Sequence, residues 1–118
     1  MFEWNKNQPI FLQIRQKIIE MILNKNVSSG EALPSVRQLS TELSVNPLTV
    51  TKAYQSLVDL QIIEKKRGLG MFVMENSHEQ LLTIERDKFL KEEWPHILKR
   101  LASLGIKLKD LAKKEQVA

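Results

Sequence analysis

Isoleucines at positions 10, 14, 18 and 22 recur every fourth residue, with Phe11 and Met21 widening the stripe. Positions i and i+4 share a face only in a helix, so the stripe predicts one. Pro9 suits the first helical position, where its missing N–H leaves nothing unsatisfied, and Asn26 with Ser28-Ser29-Gly30 forms a stop signal. A first helix is predicted over residues 9–25.

Pro34-Ser35 opens a second. Ser35 and Gln38 have capping-box spacing, and Val36, Leu39 and Leu43 follow as a buried stripe. After a short Ser44-Val45 link, Asn46-Pro47 starts a third helix, with Asn at the cap and Pro at the first turn. Val50, Ala53, Tyr54, Leu57 and Leu60 then repeat every three or four residues. Two helices joined by so short a turn make a helix-turn-helix. Beyond Gln61 the period changes. Ile62–Lys66, the Gly-containing Arg67–Gly70, and Met71–Met74 read as strand, turn, strand. A lone hairpin is marginal in water, so this one must lean on the helices, which is a winged arrangement.

Residues 76–118 show no strand signal. Ser77 with Gln80 has capping-box spacing, and Leu82, Phe89, Trp94, Ile97, Leu98, Leu101 and Leu104 keep helical spacing past Pro95. Pro95 removes one backbone bond and disfavours helical geometry at Trp94, so a kink or break is expected there. Gly105 is a natural helix stop, and residues 107–115 form one last short helix. The fold class is therefore mainly α with a small β-hairpin. The predicted division is a winged helix-turn-helix domain at 1–75 and a helical segment at 76–118.

Composition narrows the function classes. No cysteine is present, which excludes disulfides, thiolate metal sites and a cysteine nucleophile. No apolar run approaches the ~20 residues of a membrane span, and the start lacks the basic-then-apolar pattern of a signal peptide. The expected setting is cytoplasmic, with no membrane partner. Two histidines 18 positions apart (His78 and His96, both read as surface residues) and the adjacent Glu92-Glu93 form no catalytic or metal constellation. Neither a metal nor another cofactor is expected, and the chain is not read as an enzyme. The net charge of +4 leans towards an anionic partner, and it divides as nine basic against seven acidic residues on either side of Glu75. Any anion-binding surface must therefore come from local placement.

That placement centres on the third helix. At 100° per residue, Ala53, Tyr54 and Leu57 lie within about 60° of Val50, while Leu48, Lys52, Gln55 and Asp59 hold the opposite face, flanked by Thr51. Gln and Lys can pair with adenine and guanine edges, and a Leu or Thr methyl can touch a thymine methyl. Arg37 falls in the first turn of the second helix, where the macrodipole disfavours a cation by roughly 0.3–1 kcal/mol; a phosphate at that end would complete the site. Asn46 and Thr49 are caps placed where phosphate and base edges are often met. Lys65-Lys66-Arg67-Gly68 is the densest basic cluster and lies at the predicted hairpin tip.

Pro9–Ile14, Leu33–Leu39, Val45–Val50, Ala53–Leu57 and Arg67–Val73 together resemble the GntR family of bacterial transcriptional regulators. The resemblance implies that Ser35 and Arg37 contact an operator from the start of the second helix. It implies that Asn46, Pro47, Leu48, Thr49, Thr51 and Lys52 read or position double-stranded DNA, and that Arg67 and Gly68 reach the minor groove. Gln55 and Lys66 join this set by position. The chain departs from the family at Pro47 and Thr51, where many members carry Arg, and at Ser44, where Gly is common. The short tail is similar to the YtrA-like subfamily, whose tails dimerise and whose genes often regulate transport systems.

The expectation is a dimeric repressor on an inverted-repeat operator, with a transporter operon as its target class. Phe2, Trp4, Leu82, Phe89, Trp94, Ile97, Leu98, Leu101 and Leu104 are the candidate homodimer interface, because so short a segment cannot bury such a stripe internally. A small-molecule effector is allowed for without being identified. The alternative is a winged-helix protein–protein module that binds no DNA.

Overall fold

The computed structural model describes residues 4–113 in full and the backbone of 114–117. The elements run α1 (Ile10–Leu23), α2 (Val36–Leu43), α3 (Pro47–Asp59), β1 (Ile63–Lys66), β2 (Gly70–Val73), α4 (Ser77–Lys88), a π-helical turn (Phe89–Glu93), α5 (Trp94–Ser103) and α6 (Leu108–Val117). Two compact units result, Met1–Leu82 and Thr83–Ala118. The boundary falls within α4, beyond the change of pattern at 75/76.

In the first unit α1 and α2 both pack on α3, and α3 packs on β1. Ile14, Ile18, Ile19 and Ile22 of α1 meet Val50, Ala53, Tyr54 and Leu57 of α3 in one core with Ile62, Ile63, Val73 and Leu81. Ile10, read as part of the first stripe, is instead 39% exposed, because the first turn of α1 reaches past this core. The helix itself is shorter than predicted at both ends, and Pro9 is its cap, with extended ψ, rather than its first residue.

The hairpin is antiparallel in the register Ile63↔Val73 to Lys66↔Gly70. The preceding loop lengthens this small sheet. Gly30 donates to the Val73 carbonyl at 2.8 Å, Val73 to Glu31 at 3.0 Å, and Leu33 to Met71 at 2.8 Å. The wing is thus fastened by backbone bonds to the segment that leads into α2. The Tyr54 hydroxyl donates to the Pro34 carbonyl, tying α3 to the same point. Burial, and secondarily the Glu42 carboxylate, push that hydroxyl well above the usual phenol range, so it remains a donor.

Four helices end in the same way. After α1, α2, α3 and α5 a residue takes left-handed φ: Lys25 at 60°, Ser44 at 55°, Gln61 at 60° and Gly105 at 66°. The next amide bonds five residues back, Asn26 to Met21 (2.9 Å), Val45 to Ser40 (3.0 Å), Ile62 to Leu57 (3.0 Å) and Ile106 to Leu101 (3.0 Å). This is the Schellman closure, which favours glycine at the left-handed position. Only at Gly105 does the residue type itself mark the left-handed position; lysine, serine and glutamine carry no such signal. A Cβ in that conformation costs about 1–2 kcal/mol, offset in part by the extra unfolded-state freedom of glycine. Ser44→Gly is therefore expected to raise the unfolding free energy by about 0.5–1 kcal/mol in urea denaturation.

Two other expectations are corrected. Ser77 and Gln80 do not form a capping box. Ser77 is fully buried and its hydroxyl donates to the Ile62 carbonyl, while the Gln80 side chain reaches the Leu60 carbonyl. His78 is not a surface residue; it is half-buried, its Nε2–H donating to the Leu23 carbonyl at the end of α1 (3.0 Å).

Pro95 does not break the helix either. Trp94 keeps helical angles (φ −57°, ψ −41°), and its amide bonds to Phe89, five residues back. Widening the preceding turn to π geometry relieves the clash of a proline ring with the carbonyl four residues earlier. Phe89 and Trp94 lie across this turn with ring centroids 6.2 Å apart.

Candidate nucleic-acid interface

The start of α2 is built as predicted. Ser35 Oγ accepts from the Gln38 amide and Gln38 Oε1 accepts from the Ser35 amide, both at 3.0 Å. With the helix start fixed at both partners, Arg37 is held in the first turn and is exposed. It lines a surface concavity with Pro34, Ser35, Gln38, Thr41 and Glu42.

At α3 the Asn46 side chain accepts from the Leu48 amide at 2.8 Å, and Pro47 occupies the first turn. The inward face of α3 is fully buried, so the outward face has no freedom to rotate inward. Leu48, Thr51, Lys52 and Gln55 are all exposed, Leu48 at 76%; Thr49 is half-buried.

Two of these side chains have partners within the chain. The Lys52 ammonium stands 4.1 Å from the centroid of the Phe11 ring of α1, and the Gln55 amide donates to Asp59 at 2.9 Å. By its spacing Phe11 belongs only to the apolar stripe of α1. Its contact with a cation two elements away leaves no trace in local pattern.

At the wing, Lys66 lies along the sheet rather than at the tip. Its ammonium is 3.8 Å from Glu64 and 4.6 Å from the Phe72 ring centroid, consistent with Glu64 and Phe72 being cross-strand partners. Arg67 and Gly68 form the turn. The Leu69 amide donates to the Lys66 carbonyl at 2.9 Å, and Gly68 supplies the positive φ (77°) that the third residue of a type II turn requires.

The residues assigned to a homodimer interface are dispersed. Phe2 lies outside the described residues. Trp4 is half-buried against the core of the first unit, where the Gln13 side chain pins the arm by bonding Asn5 and Gln8. Its burial is thus accounted for within the chain. Leu82 closes the first unit, half-buried. In the second unit Phe89, Ile97, Leu98 and Leu104 are 38–54% exposed, Trp94 and Leu101 half-buried, and no residue from 83 to 113 is fully buried.

Among the described residues no helix is long and apolar enough to cross a membrane, and no group of three His, Asp or Glu side chains could hold a metal ion.

Comparison with known proteins gives the same picture. The family description "Bacterial regulatory proteins, gntR family" matches residues 11–73. The HTH-type transcriptional repressor YtrA of Bacillus subtilis is 36% identical over 87% of this chain and 78% of its own length. A GntR family transcriptional regulator from Listeria monocytogenes superposes with a TM-score of 0.77 at 28% identity, covering 98% of this chain and 99% of that one. YtrA from Sulfolobus acidocaldarius, a GntR-family transcription factor, gives 0.58 at 31% identity over 87% and 96%. These relatives are transcriptional regulators, not enzymes. A winged helix-turn-helix with C-terminal helices, matched across the whole wing and both helices of the motif, makes this chain a YtrA-like member of the GntR family of bacterial transcriptional regulators.

Proposed function

We propose that the chain is a cytoplasmic repressor that binds an inverted-repeat DNA operator as a homodimer. The observation that carries this is the outward face of α3, where Leu48, Thr51, Lys52 and Gln55 stand exposed while the opposite face is locked into the core. Short polar groups, one cation and one aliphatic side chain match the donor, acceptor and methyl pattern of major-groove base edges. Ser35, Arg37, Asn46 and Thr49 hold phosphates at two helix starts, Pro47 helps position the second of them on the DNA, and Lys66, Arg67 and Gly68 bring the wing to the minor groove. Two recognition helices related by a two-fold axis should lie about 34–36 Å apart, one helical turn of DNA. The exposed apolar residues of the second unit supply the pairing surface. From the likeness to YtrA-type regulators, a transport operon is the proposed target class, to be tested by sequencing DNA fragments bound in the cell.

A gel-shift series with genomic fragments tests the central reading. A protein–protein module shifts none of them at physiological salt, and that result would remove the DNA-binding role.

Arg37 gives a sharper test. Its charge opposes the α2 dipole, so Arg37→Ala should leave the melting temperature unchanged or slightly raised. Losing a charged phosphate contact in each protomer should weaken operator binding by about tenfold or more. Unaltered affinity in an anisotropy titration would reject its role.

A further inference from the structure

The wing tip carries a residue that neither charge nor turn geometry accounts for. Leu69 is 71% exposed; with Leu48 it is one of the two most exposed large apolar side chains among the described residues. It stands between Gly68 and Gly70, and nothing lies within 4 Å of where a Cβ on either glycine would be. The tip is therefore a leucine with slim shoulders. Lys66 is drawn back along the sheet by Glu64 and Phe72, so Arg67 and Leu69 are what the tip itself presents. An apolar side chain two residues from Arg67, on a hairpin that also carries Lys65 and Lys66, is unsuited to an apolar protein surface, since burying it there would also desolvate these exposed cations. A polyanion with a recess between its charged rails satisfies both kinds of group.

We propose that Leu69 is a specificity-determining residue of the wing, entering the minor groove and admitting A·T pairs while disfavouring G·C. This rests on the reading above that the wing lies in the minor groove. A·T and T·A pairs show only the adenine N3 and thymine O2 acceptors there, whereas a G·C pair adds the guanine 2-amino donor. A leucine occupies the space of that amino group and offers it no acceptor, leaving a donor stripped of water and unpaired. Arg67 acts through its charge on the phosphates that line the groove, and so contributes to affinity at every sequence.

The test uses the full-length protein and a duplex selected by it from a random pool, with the wing position located by hydroxyl-radical footprinting. Three versions place A·T, G·C or inosine·C there, inosine being guanine without the 2-amino group. The protein is expected to bind A·T and inosine·C alike and G·C about tenfold more weakly, within the usual range for one wrong base pair. Leu69→Ala should shrink that difference below twofold at an unchanged melting temperature. Leu69→Asn, which supplies an acceptor for the amino group, should favour G·C, and Arg67→Ala should weaken all three duplexes alike. Leu69→Ala discriminating as strongly as the parent, or a parent that treats G·C and inosine·C alike, overturns the assignment while leaving DNA binding intact. Selection of no duplex, or a footprint without minor-groove protection, overturns the parent reading and this one with it.

Discussion

Raising salt from 50 to 200 mM is expected to weaken operator binding on the order of 10³-fold or more. DNA carries a condensed layer of counterions, and each phosphate neutralised by a protein cation releases about one of them. Arg37, Lys52 and Arg67 are exposed on the three elements of the candidate interface. Doubled in a dimer they make six cations, which gives a slope of log affinity against log salt of about −5. The net charge of +4 per chain adds a long-range pull that is screened over the same interval. Fluorescence anisotropy at four or five salt concentrations measures the slope directly. A slope near zero would mean that these cations meet no phosphate, and the interface would have to be abandoned.

A chain ending at Leu82 is expected to fold, sediment as a monomer and bind the operator at least 100-fold more weakly than the full protein. The first unit keeps its whole core in this truncation, including Leu81 (1% exposed) and Ser77 (fully buried). Ending the chain at Glu75 would remove both and confuse loss of pairing with loss of stability. None of the second unit's described apolar residues is fully buried, and the proposed pairing through it holds two recognition helices at millimolar effective concentration. Without that linkage each half-site must be bound alone. Sedimentation velocity reads the oligomeric state, and gel shift with the selected duplex reads the affinity. A truncated chain that still sediments as a dimer would place the pairing surface in the first unit.

The helix starts of the motif were legible because their determinants are local. Ser35 and Gln38 bond each other's backbone across three residues, and Asn46 bonds an amide two residues on, so the spacing alone specifies the geometry. The helix ends were less so. Lys25, Ser44 and Gln61 adopt left-handed φ because the next amide closes onto the helix and the chain must turn into the core, not because those residue types prefer it. The Ser77–Gln80 pair shows the converse. Its spacing satisfied the capping rule, but the Ile62 carbonyl, brought close only by folding, took the serine hydroxyl.

By itself, then, the order of residues determined the three-helix motif, the hairpin and its basic turn, and which side of α3 points outward. All of these follow from periodicity and bonds spanning a few positions. Only the tertiary structure decided that the segment at 30–33 joins the sheet, that Tyr54 ties α3 to the entry of α2, and that Phe11 lies beneath Lys52. It also decided that Lys66 leans away from the wing tip and leaves Leu69 there with Arg67. Each of those contacts except the last joins residues far apart in the chain, and in every one a partner's position depends on how whole elements pack, which no local pattern encodes.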